Sequence, residues 1–177
     1  LGLVHLREGC RFEPFAETTA WCWQQGCMLQ WLPQAPDRLV IFNACRDGRF
    51  VAVIYDVQAG REVRVLPRPV YCVSPDGRRG LSLNFSRLDV TRPGYGYPGP
   101  RDPYGDLQTP DRDGIWLMDL EHGQADLVLS VAQVAAVQHE VEMEGVAHYF
   151  NHLTFNPDGS RFVFLHLYLR QSGNGML

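Results

Sequence analysis

The chain is written in short apolar runs separated by turn-forming residues. The clearest pair is Leu153-Thr154-Phe155 and Phe162-Val163-Phe164-Leu165, joined through Asn156-Pro157-Asp158-Gly159. Proline presets φ, aspartate caps the turn locally and glycine accepts positive φ, so the pattern predicts a β-hairpin. Val51, Val53 and Tyr55 alternate with Ala52, Ile54 and Asp56, and both sets are largely apolar. That is the signature of a strand covered on both faces. Helical rhythm is confined to Val131–Val141, where one or two turns of helix are expected.

The hairpin repeats. Leu153-Thr154-Phe155-Asn156-Pro157-Asp158-Gly159 aligns with Tyr71-Cys72-Val73-Ser74-Pro75-Asp76-Gly77, and Leu29-Gln30-Trp31-Leu32-Pro33 is a degenerate third copy. The polar residues that end the second strand are Asn43, Asn84 and His166, spaced by 41 and 82 positions. A unit of about 40 residues with four strands has the period of a propeller blade. The expected fold is therefore all-β: a fragment of a β-propeller with about three four-stranded blades, the first and last incomplete. One partial propeller domain spans 1–177, with approximate blades at 1–20, 21–68, 69–140 and 148–177. Strands are expected near Gly26–Leu32, Arg38–Asn43, Phe50–Asp56 and Glu62–Leu66. The next set falls near Val70–Val73, Gly80–Ser86, Ile115–Leu120 and Ala125–Ser130. A long inserted loop, 87–114, rich in Pro, Gly, Asp and Tyr, leaves the end of a second strand. Structureless loops of that length are usually functional or disordered.

Composition adds exclusions. The 177 residues are 45% hydrophobic and 20% charged, which suits a folded core. Net charge is −4 with no Lys/Arg cluster, so no nucleic-acid partner is expected. No apolar run approaches the ~20 residues of a membrane helix, and no membrane span is expected. Leu1–Leu6 lack a basic start and a cleavage pattern. The chain opens without methionine and ends on a loop-like Gly173-Asn174-Gly175-Met176-Leu177, so it reads as a piece of a longer protein. The five cysteines, Cys10, Cys22, Cys27, Cys45 and Cys72, show no C-x-x-C pair and read as reduced thiols.

Candidate chemistry gathers on one rim. In a blade the first strand lines the channel and the second returns antiparallel to it, so His152 and His166 are expected to meet at the rim opposite the Asn156–Gly159 turn. His148, Asn151, Asn84, Asn43, Arg87, Arg92, Tyr95 and Tyr97 are delivered to that same face. Converging imidazoles suit either a divalent metal or general-base chemistry. Catalytic roles are assigned to His152, His148 and Arg87, and metal ligation to His152 and His166. Substrate contacts are assigned to Asn43, Asn84, Arg92, Tyr95, Tyr97 and Asn151. Gln138 is not at a matching ligand position, and His139 reads as incidental. Trp21, Trp23, Trp31 and Trp116 read as packing between blades.

The run Phe155-Asn156-Pro157-Asp158-Gly159-Ser160-Arg161-Phe162-Val163-Phe164, with Val73-Ser74-Pro75-Asp76-Gly77, resembles the F-S-P-D-G-x-R-[IV]-x-F repeat of TolB-like (WD40-like) propellers. Asn151-His152 followed by Phe164-Leu165-His166 resembles the oligogalacturonate lyase family. That resemblance implies a divalent ion such as manganese, held through histidines and a glutamine, and cleavage of acidic oligosaccharides by β-elimination. The other reading is a non-catalytic TolB-like propeller with an oligosaccharide or protein ligand at its rim.

Overall fold

In the computed structural model, which describes residues 1–137 and 140–169, the chain folds into four antiparallel sheets in sequence order. Gln138, His139 and the glycine-rich end lie outside the described residues. The first sheet is the pair β1 (Gly2–His5) and β2 (Arg11–Pro14). The second is a meander of β3 (Gln30–Trp31), β4 (Leu39–Arg46), β5 (Arg49–Asp56) and β6 (Arg61–Leu66). The third is a meander of β7 (Cys72–Val73), β8 (Arg79–Ser82), β9 (Gly114–Asp119) and β10 (Ala125–Ser130). The fourth pairs β11 (His148–Phe155) with β12 (Phe162–Tyr168). The all-β expectation and the strand sets of both complete sheets are observed.

The repeat is visible in the hydrogen bonds of its turns. Ser74 N donates to Arg79 O at 2.8 Å and Gly77 N to Ser74 O at 2.8 Å. The same bonds join Asn156 N to Arg161 O and Gly159 N to Asn156 O, both at 2.9 Å. Gly77 and Gly159 sit at φ 70° and 71°, the left-handed region the turn requires. In the degenerate copy Leu32 N reaches Leu39 O at 2.9 Å, across a turn two residues longer.

The sheets pack face to face. Val40, Phe42, Ala44, Val51, Val53 and Tyr55 bury one face of the second sheet with Phe15 and Ala16 beside the first. Ile41, Ala52 and Ile54 bury the other face on Val70, Met118 and Leu120 of the third sheet and its entry. Leu81, Leu83 and Ile115 then pack with Tyr149, Phe150 and Leu153 of the fourth. Strand period two explains how β4 and β5 serve both neighbours. β6 is the outer strand, and its residues are exposed up to Leu66.

The short helix expected within Val131–Val141 is α2 (Val131–Ala135), started by a capping box between Ser130 and Gln133. One expectation is corrected. The inserted loop is no open excursion. β8 ends at Ser82, Asn84 accepts from Arg87 N at 3.0 Å, and α1 (Phe85–Thr91) follows. Chain 92–113 then folds back over α1. Tyr97 is fully buried and stacks on Phe85 at 4.2 Å between ring centroids. Gly96 makes that approach possible, since a Cβ there would lie 2.0 Å from Asp89 N and 2.4 Å from Phe85 O.

Candidate functional site

The β11–β12 register decides where the histidines go. His148 lies opposite Tyr168, Phe150 opposite His166 and Asn151 opposite Leu165, after which the register shifts to Thr154 and Val163. β11 thus carries one extra residue, a β-bulge at His152–Leu153. His152 adopts φ 51° and is exposed. The expected meeting of His152 with His166 does not occur, because the bulge turns His152 away and leaves Phe150 as the cross-strand partner. His148 meets His166 instead, with Nδ1 to Nε2 at 2.9 Å and ring centroids 5.1 Å apart. His148 is buried, and its Nε2 lies 3.0 Å from Met143 O.

Four other assigned residues are structural in their surroundings. Asn43 is fully buried; its Oδ1 accepts from Val70 N and its Nδ2 donates to Val70 O, each at 2.7 Å, which staples the second sheet to the third. Nδ2 also donates to the Tyr97 hydroxyl at 3.0 Å, so Tyr97 faces the core and not a ligand. Asn84 caps α1 and donates to Asp102 and Asp113 at 2.7 and 2.8 Å. Arg87 is 4% exposed. Its guanidinium pairs with Asp102 at 3.3 Å and donates to the carbonyls of His148, Leu107 and Gln108 at 2.7, 3.0 and 2.7 Å. A guanidinium so fully engaged pins the inserted segment and is not presented to a substrate.

Asn151, His152, Tyr95 and Arg92 do come together. The edge of the His152 ring meets Tyr95 at 5.9 Å, and the Arg92 guanidinium lies 4.6 Å over the same Tyr95 ring. Hydrogen bonds to the Tyr95 and Tyr149 hydroxyls raise the Arg92 pKa above its ordinary value, which keeps the cation charged. Behind His152 lies a polar knot that sequence reasoning missed. Tyr71 Oη donates to Asn151 Oδ1 at 3.0 Å, Gln25 Nε2 donates to Tyr71 Oη at 2.6 Å, and His152 N donates to Tyr71 Oη at 3.0 Å. Asn151 Nδ2 and Gln25 Oε1 are buried with no protein partner. Unpaired buried amides are uncommon and mark places where a water or ligand group is called for.

The segment Trp21–Gln25 borders this cluster, because Gln24 N donates to Gly94 O at 3.1 Å. Trp21 and Trp23 form an edge-to-face pair at 4.8 Å, and Trp23 is 81% exposed. The packing expectation for these two tryptophans is corrected: an exposed aromatic pair is a stacking surface. Met28 and His152, aligned in the hairpin repeat, both have left-handed backbone, at φ 55° and 51°. Met28 bends the chain just before β3 and His152 bends β11 at its bulge, which no local residue preference announces.

Among the described residues, no group of three or more His, Cys, Asp or Glu is placed to hold a metal. All five cysteines are free, and burial pushes the Cys72 thiol up to about 11. No helix is long and apolar enough to cross a membrane. No known protein family, curated protein or solved structure matches the chain.

Proposed function

We propose that this chain is part of a β-propeller that binds acidic oligosaccharides beside His152 and cleaves them by β-elimination, in the manner of the oligogalacturonate lyases it resembles. The face-to-face succession of meander sheets supports the propeller. So do the bonds between their inner strands: Gln30 Nε2 donates to Tyr71 O and Gln30 Oε1 accepts from Val73 N, both at 3.1 Å. At the turn rim, Gln34 donates to Gly77 O at 3.1 Å and Arg79 to Gly159 O at 3.0 Å. Val4 and Phe12 on the first sheet, and Val163 and Leu165 on the last, are exposed apolar side chains. In a closed ring such faces pack on neighbouring blades.

The observation that carries the site is the shared Tyr95 ring, with the Arg92 guanidinium 4.6 Å and the His152 imidazole 5.9 Å from its centroid. A uronate carboxylate pairs with Arg92, which withdraws charge from the adjacent C5–H. The His152 imidazole takes the C5 proton, the C5 electrons form the C4–C5 double bond, and the C4 glycosidic oxygen leaves with its bonding pair. That oxygen takes its proton from water. Trp23 offers a face for a neighbouring sugar ring. Manganese binding through His152 and His166 together does not fit the register, which sets Phe150 and not His152 across from His166.

A non-catalytic propeller that binds a glycan or protein is the second reading. It is favoured by the absence, among the described residues, of any hydrogen bond to the His152 ring, because catalytic bases are ordinarily oriented by a partner. Incubation with oligogalacturonate, followed by ultraviolet absorbance of the unsaturated product, separates the two. Product formation lost in His152→Asn supports the lyase. Binding without product supports the second reading.

A further inference from the structure

We infer that the cleft between the second and third sheets is a separate binding site for a small molecule carrying a carboxylate or phosphate. The cleft has a volume of ≈ 610 Å³ and lies between the Asp47-Gly48 turn, the Pro67–Pro69 connection and the Pro100–Tyr104 segment. Arg49, Arg68 and Arg101 line it.

Arg68 is the centre of the argument. Its guanidinium lies 3.4 Å over the Trp116 ring and is partly buried. Among the described residues, no hydrogen bond or ion pair reaches the side chain of Arg68 or Arg49. A half-desolvated guanidinium with five donors and no acceptor is costly unless a ligand supplies one. The stack on Trp116 fixes its plane, and the flanking Pro67 and Pro69 restrict its backbone, so little ordering remains to be done on binding.

The acids nearby do not cancel this charge. Asp102 is paired with Arg87 at 3.3 Å, and Asp106 with Arg101 at 3.4 Å. Asp113 is engaged by Asn84 at 2.8 Å; burial raises its pKa, and it is the acid that acts electrostatically on Arg68 without a hydrogen bond to it. The wall is left with two guanidinium groups, of Arg49 and Arg68, whose N–H donors have no protein acceptor among the described residues, which suits one oxyanion head group. Phe50, Phe85, Pro67 and Pro100 give the rest of the ligand an apolar surface.

The purified protein is titrated calorimetrically with galacturonate in one arm and inorganic phosphate in the other, each compared with chloride at matched ionic strength. Saturable one-to-one binding is expected in at least one arm, and the arm identifies the head group. Arg68→Gln is expected to weaken it about tenfold or more. Arg68→Lys, which keeps the charge without the planar fork, weakens it less, and Arg7→Gln, at an exposed position outside the cleft lining, leaves it unchanged. Arg49→Gln, at an exposed hairpin position, gives the same weakening and carries the test if Arg68→Gln misfolds. No saturable binding in either arm overturns the site. So does unchanged affinity in the cleft variants, including the case in which Arg92→Gln alone abolishes binding and assigns the anion to the Tyr95 cluster.

Discussion

His148 Nδ1 and His166 Nε2 lie 2.9 Å apart, and the other nitrogen of His148 faces the Met143 carbonyl at 3.0 Å. A carbonyl only accepts, so His148 Nε2 carries a proton and, in the neutral ring, Nδ1 accepts from His166 Nε2–H. His166 is left with one free lone pair, on Nδ1. Burial first, and His148 second, lower the His166 pKa below its ordinary value.

This pair makes stability depend on pH with a definite sign. A histidine whose folded pKa is depressed contributes stability that is fully present above its unfolded pKa of about 6.5. The contribution is lost as pH falls below that value toward the folded pKa, because the unfolded chain then binds more protons. Urea midpoints of wild type are expected to fall between pH 7.5 and 5.5. His166→Phe, which keeps the ring volume, is expected to flatten that fall. An identical pH profile in the variant would contradict the assignment.

Arg87→Met should destabilise the protein by about 3–5 kcal/mol, because Asp102 is left as a buried, unpaired charge. The carbonyls of Leu107, Gln108 and His148 lose their donor at the same time. Adding Asp102→Asn should recover part of that loss. Chemical denaturation of the two single variants and the double variant measures the coupling, and additive losses would show that the pair does not act as a unit.

Removing residues 95–104 should unfold the third sheet. Tyr97→Ala should cost about 3–5 kcal/mol through the emptied site against Phe85. Gly96→Ala should cost about 1–3 kcal/mol by forcing chain 92–97 off α1. Thermal unfolding reports both. Unchanged melting temperatures would mean that the inserted segment does not belong to the core.

Much of the fold was legible because turn chemistry is local. Ser74-Pro75-Asp76-Gly77 and Asn156-Pro157-Asp158-Gly159 set their own hairpins, and their spacing carries the repeat. The two-sided apolar pattern of β5 announced that it is covered on both faces. The inserted segment was not legible, because its prolines and glycines read as open loop. The burial of Tyr97 and Arg87 comes from contacts formed only after α1 folds. His166 was expected to meet His152 but lies across from Phe150, two residues earlier, and the bulge at His152 behind this leaves no mark in a period-two pattern. Asn151, His152, Arg92 and Tyr95 were among the larger set expected on one face, and of these His152 and Arg92 both reach Tyr95. Gln25 and Tyr71, which complete their polar knot, sit in segments that carry no motif.

The central claim is that Arg92 and His152, meeting on Tyr95, hold and deprotonate an acidic sugar. The direct measurement is oligogalacturonate binding and cleavage by wild type, Arg92→Gln and His152→Asn. Asparagine tolerates the left-handed backbone at position 152, so the loss of imidazole is tested without strain. The account predicts that Arg92→Gln weakens binding about tenfold or more, through the lost carboxylate pair. It predicts that His152→Asn binds normally and forms no unsaturated product. Full cleavage by both folded variants would contradict it.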